Sequence, residues 1–137
     1  MAFFMKSCIF KFRNQNIFNN QNNTTMRSLL RATLDVAASN KAVIDGTLAK
    51  VVNSTIEKLQ PEASYFLAND GCRSCFMIFD LKDPSDIPSI AEPFFMHMNA
   101  KVDISPVMNA EELKKGLEKW QSSSEYVPEK FQQSQTN

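Results

Sequence analysis

The chain is poor in most of the residues and motifs on which a chemical identification usually rests. Its 137 residues include only three glycines, one histidine and three irregularly spaced cysteines. A collagen repeat, a histidine-rich metal centre and a disulfide framework are thereby excluded. No apolar run approaches the roughly 18 residues of a membrane-spanning helix. There is no glycine-rich phosphate loop, no GxSxG, no HExxH and no Asp-rich calcium loop, which removes the commonest nucleotide-binding and hydrolytic readings. What is present is 43% hydrophobic residues with 15 basic and 15 acidic side chains, enough apolar matter for one core. The composition predicts a soluble, cytoplasmic protein with one folded domain, no cofactor and no metal.

The zero net charge is a sum over unlike parts. Residues 1–25 carry Lys6, Lys11 and Arg13 without an acid, a charge of +3. Residues 26–120 hold 11 basic and 13 acidic groups, and the tail 121–137 sets Lys130 against Glu125 and Glu129. None of the three has the strongly basic footprint of a nucleic-acid binder. The first segment places Phe3, Phe4, Phe10, Phe12 and Phe18 around a run, Asn14 to Asn23, that is mostly Asn and Gln and has no strand or helix period. It reads as a disordered or leader extension, with an organelle leader or an upstream start before Met26 as the alternatives. The polar tail reads as frayed.

From Met26 the periodicity becomes regular. RSLLRATL predicts a first strand, ending where turn chemistry begins at Asp35. Val43, Ile44, Leu48, Val51, Val52, Thr55, Ile56 and Leu59 recur at three- and four-residue steps, which predicts one amphipathic helix over 40–59, stopped by Pro61. ASYFLA and CRSCFMIFDL flank Asn69, Asp70 and Gly71, the composition of a tight hairpin. A short helix follows, with Ser85 or Asp86 as cap, and Pro93 is expected to kink or split it. AKVDISPVM predicts a fourth strand at a sheet edge, because Pro106 lacks a ladder amide. Asn109 caps a last helix, AEELKKGLEKW, expected to close the domain.

The order strand, helix, strand, strand, helix, strand, helix is that of a split βαβ, ferredoxin-like α+β fold with an extra C-terminal helix. It predicts a four-stranded antiparallel sheet with strands one and three in the centre and helices on one face. Strand three is apolar on both faces, Phe76 and Ile78 against Cys75, Met77 and Phe79, so the face without helices calls for a cover. A second copy of the chain, packed sheet to sheet about a two-fold axis, is the simplest cover. Residues 26–120 resemble the small dimeric α+β-barrel proteins, and within them DGTLAK (Asp45 to Lys50), PEASYF, FDLKDPSDIPSIAEPFF and NAKVDISPVMNAEEL resemble more specifically a family of mostly uncharacterised bacterial proteins. The dimeric α+β-barrel superfamily includes muconolactone isomerases, YCII-related proteins and antibiotic-biosynthesis-type monooxygenases. The resemblance implies the barrel-forming homodimer and carries no catalytic motif over to this chain.

Candidate chemistry is sparse. Arg31 interrupts an apolar strand and shares a face with Leu29 and Thr33, pointing away from the helices. Buried in a dimer, it would need a carboxylate partner, and Asp80 and Asp103 lie on neighbouring strands; the same guanidinium could instead clamp an anionic ligand. Tyr65 is placed near the same region. His97 is a possible base or a helix-end residue bonded to a carbonyl. Cys72 and Cys75 form a lone CxxC on a strand, read as ordinary thiols. The reading that follows is a homodimer binding or isomerising a small organic acid in a cavity between sheet and helices. Arg31 and Tyr65 would bind the acid, and His97, Asp80 or Asp103 would act as proton acceptor. A non-catalytic ligand-binding or structural dimer, and a cofactor-free monooxygenase, are the rival readings; neither nucleic acid nor membrane is an expected partner.

Overall fold

The computed structural model describes residues 25–123, so the leader and tail expectations lie outside the described residues apart from their inner ends. The chain forms β1 (Met26–Thr33), α1 (Val36–Asp45), α2 (Thr47–Leu59), β2 (Ala63–Asn69) and β3 (Cys72–Leu81). A 3-10 turn (Pro84–Asp86), α3 (Ile87–Met98), β4 (Lys101–Pro106) and α4 (Ala110–Ser122) complete it. The sheet order is β2-β3-β1-β4, antiparallel at every pairing. This α+β arrangement, with β1 and β3 central, is compatible with a ferredoxin-like fold. Among the described residues no helix is long and apolar enough to cross a membrane.

Local chemistry accounts for each boundary. Asp35 accepts a hydrogen bond from the Ala38 amide at 2.8 Å and caps α1. The expected single helix over 40–59 is in fact two helices, because Gly46 adopts φ +81°, ending α1 and starting α2. Only glycine enters that left-handed region without strain, and its position five residues before Val51 was masked by the continuing apolar period. The hairpin forms as expected: Asp70 (φ 52°) and Gly71 (φ 73°) both take positive φ, the type I′ signature. Asp83 caps the 3-10 turn through the Ser85 amide at 2.8 Å. The helix after it is not split at Pro93; α3 runs through. Pro93 removes one amide, yet the helix continues through it, with Ile90, Phe94 and Met98 buried on one side.

The core lies between the sheet and α1 to α3. Leu30 and Ala32 from β1, Met77 and Phe79 from β3, and Phe94 and Met98 from α3 are buried together. At about 1.5–3 kcal/mol per large apolar side chain, this layer is the main favourable term in folding. β4 is an edge strand ending at Pro106, as its proline required. The closing role expected of α4 is not realised: all 13 of its residues are exposed. Asn109 and Glu112 form a reciprocal capping box at its start, and Leu113, Leu117 and Trp120 recur along it at exposed positions.

Candidate functional site

Side chains in a strand alternate between faces, so the register of the sheet settles which residues meet. On the face opposite the helices, Tyr65 of β2, Phe76 of β3, Arg31 of β1 and Asp103 of β4 stand in one row across all four strands. The next row is Ala63, Ile78, Leu29 and Ser105. On its other side run Leu67, Ser74, Thr33 and Lys101. The face is thus apolar across its middle, with one guanidinium at the centre and one carboxylate at the β4 edge.

Arg31 sits over the Phe76 ring, its guanidinium carbon 5.2 Å from the centroid, a cation–π geometry. It is exposed in the single chain, not buried, and among the described residues no carboxylate lies within 4.0 Å of it. Asp103 is its direct cross-strand neighbour without closing an ion pair. Tyr65 is 64% exposed. Asp80 shares this face but stands opposite Arg27, about four residues along β3 from the Arg31 row, roughly 14 Å at strand rise. His97 is absent from the face altogether: it is exposed near the C-terminus of α3 and lines a groove between α2 and α3. Three of the five candidate side chains therefore stand in one row, with Asp103 next to Arg31 and Tyr65 two strands from it, a fourth lies on the same face, and the histidine lies on the other side of the sheet.

The expected cavity between sheet and helices does not bring these residues together. A small apolar pocket of about 190 Å³ beside Leu34, Val52 and Cys75 touches none of the candidates, and a pocket of about 300 Å³ between the end of β3 and the helices, lined by Leu59, Phe79 and Ile90, is reached by Asp80 alone among them. Odd-numbered residues of β1 face away from the helices, so Arg31 could not line either pocket. Cys72 and Cys75 fall on opposite faces by the same alternation, and both are free thiols. Burial pushes the Cys75 thiol upward, against a smaller opposing effect of the Ala32 backbone hydrogen bond. Among the described residues no group of three or more His, Cys, Asp or Glu gathers to hold a metal.

Two positions emerge only from the tertiary structure. Arg27, at one corner of the open face, pairs with Glu112 at 3.0 Å and Glu62 at 3.4 Å and so ties the start of α4 to β1. Arg73 points to the helix side and donates to Ser39 Oγ and Asn40 Oδ1, both at 2.8 Å, holding α1 against β3. Their sequence separations, 85 residues for Arg27 to Glu112 and 34 for Arg73 to Ser39, left no local signal. Comparison with protein-family models, with curated proteins and with solved structures returns no match.

Proposed function

We propose that two copies of this chain pack their open sheet faces together and that Arg31 holds a small organic acid at the contact. One observation carries this reading: a guanidinium braced on Phe76, with no ion-pair partner among the described residues, at the centre of an apolar sheet face. Such a group offers a planar fork of donors that matches a carboxylate, while Phe76 beside it and Tyr65 one strand further on extend an aromatic surface to one side. If the acid is isomerised, Asp103 is the proton acceptor within reach of Arg31, and His97 is not.

The second copy is favoured by area and charge. Four strands at about 4.8 Å and some six residues at about 3.4 Å give the face a projected area of about 400 Å². Two such faces fall short of the roughly 1,200–2,000 Å² of a stable interface. The apolar stripe of α4, Leu113, Leu117 and Trp120, each about half exposed, supplies more. Because Arg27 and Glu112 start α4 at a corner of the open face, that stripe is available to the same partner. With Arg31, Lys101 and Asp103 on one surface, the charges are self-complementary under a two-fold axis.

A structural dimer is the second reading, favoured by the position of Asp103: in it, Arg31 pairs with that carboxylate of the second copy. Light scattering after size exclusion, with calorimetric titration of benzoate and succinate into the parent, Arg31→Ala and Asp103→Asn, separates them. The clamp expects a dimer in which Arg31→Ala abolishes binding with an unchanged melting temperature. Equal loss of melting temperature in both variants, without any ligand binding, would establish the structural dimer instead. A monomer at micromolar concentration would overturn both.

A further inference from the structure

On the opposite side of the sheet, α2 and α3 leave a groove of about 450 Å³, within the size range of small-ligand sites. Lys58 Nζ donates to Ser89 Oγ at 2.6 Å, pinning the C-terminal end of α2 to the N-terminal end of α3. Lys50 and His97 line the same groove, each eight residues from that contact, about 12 Å along its own helix. Ser54 and Pro93 stand halfway along those stretches, and their small size keeps the groove open.

Three properties distinguish this groove from an ordinary solvated seam. Its lining includes Lys50, Lys58 and His97 but no Asp or Glu, so its charged groups are of one sign. Its floor is fixed and apolar: Val51, Thr55 and Ile90 are buried, and the Thr55 hydroxyl is already spent on the Val51 carbonyl at 2.7 Å. Finally, Pro93 has no amide to give to the Ser89 carbonyl, so that acceptor lacks its usual helical donor, and Ser89, Pro93 and Ser54 all line the groove.

We infer that this groove binds a small hydroxylated organic anion, a carboxylate or a phosphate monoester. Its anionic group lies between Lys50 and His97, its hydroxyls meet Ser54 and the Ser89 carbonyl, and Lys58 adds a second positive charge at the far end. The groove is independent of the open sheet face and stays accessible when two faces pair, so either reading can fail alone.

The chain has one histidine, so the imidazole C2–H proton gives a single NMR probe placed in the groove. Glycerol 3-phosphate, glycerate, inorganic phosphate and glycerol are titrated separately into the full chain at constant ionic strength. The expected result is a saturable shift with glycerol 3-phosphate or glycerate, none with glycerol, and weaker saturation with phosphate. Lys50→Ala and Lys58→Ala, both exposed positions, should each weaken binding by about fivefold or more, the scale of one charge-assisted contact, and Lys50→Ala, which leaves the Lys58–Ser89 bond in place, should do so without moving the melting temperature. Arg31→Ala should leave the titration unchanged. A linear shift, an equal response to chloride, inorganic phosphate binding as tightly as the organic anions, no effect of Lys50→Ala, or loss on Arg31→Ala would each overturn the assignment.

Discussion

Replacing Gly46 with alanine is expected to cost about 1 kcal/mol. The residue has φ +81° and joins α1 to α2, and no atom lies within 4 Å of a Cβ added there. Steric clash is thus excluded and the effect is purely conformational. An L-residue held in the left-handed region costs about 1–2 kcal/mol, offset by about 0.4–1 kcal/mol because alanine narrows the unfolded ensemble. For a folded unit of about 100 residues, the remainder lowers the thermal midpoint by about 4–8 °C. Gly116 supplies the internal control, since a Cβ there also meets nothing within 4 Å while its φ is not positive. Gly116→Ala should therefore raise the helicity of α4 instead, by up to about 1 kcal/mol of helix propensity. Gly46→Asn should fall between parent and alanine, because asparagine tolerates positive φ. Thermal and urea unfolding followed by circular dichroism reads all three. A neutral or stabilising Gly46→Ala would refute the left-handed joint, and with it the bend that directs the Lys50 face of α2 toward α3.

Two further outcomes follow from titratable groups. The Asn109 amide, with Arg27 and Lys115 adding smaller effects, holds the Glu112 carboxyl below its ordinary value of 4.5. A depressed value means support for α4 that is present above pH 4.5 and lost as pH falls through the lower folded value. Helicity at 222 nm should drop on acidification in the parent and much less in Glu112→Gln; identical profiles would exclude the capping box as the cause. Iodoacetamide labelling of the native protein, mapped by mass spectrometry, should modify Cys72 and spare the buried Cys75, and equal labelling would contradict the placement of Cys75 in the core.

Much of the framework was legible because strand periodicity is strict. The alternation in RSLLRATL already separated Leu30, Ala32 and Leu34 from Arg31, and the pairing of β1 with both β3 and β4 bears that separation out. Asp70 with Gly71 marked the hairpin for an equally local reason. Helical boundaries were harder. Gly46 broke a helix whose apolar period continues across it, and Pro93 did not break α3, in which Ile90, Phe94 and Met98 are buried on one side. The face bearing Arg31 could be inferred, but the row that joins it to Tyr65 and Asp103 depends on registers between strands far apart in the chain. His97 illustrates the limit most clearly. FFMHMN placed it at the end of α3, while the groove it lines needs α2, whose turn at Gly46 was not foreseen.

The two rims of the sheet are chemically unequal. β4 ends its row of exposed backbone groups with Lys101, Asp103 and Pro106, residues that discourage another strand from adding on. β2, at the opposite rim, presents seven residues, ASYFLAN, with neither a charge nor a proline and with Tyr65, Phe66 and Leu67 all exposed. Among the described residues it has no neighbour on its outer side. Strand addition, if it occurs, is expected to be directional: a foreign β-segment, or a misfolded copy at high concentration, would meet fewer obstacles along β2 than along β4. Strand addition by that route would use neither Arg31 nor the α2–α3 groove, so substitutions along β2 act on a surface separate from both.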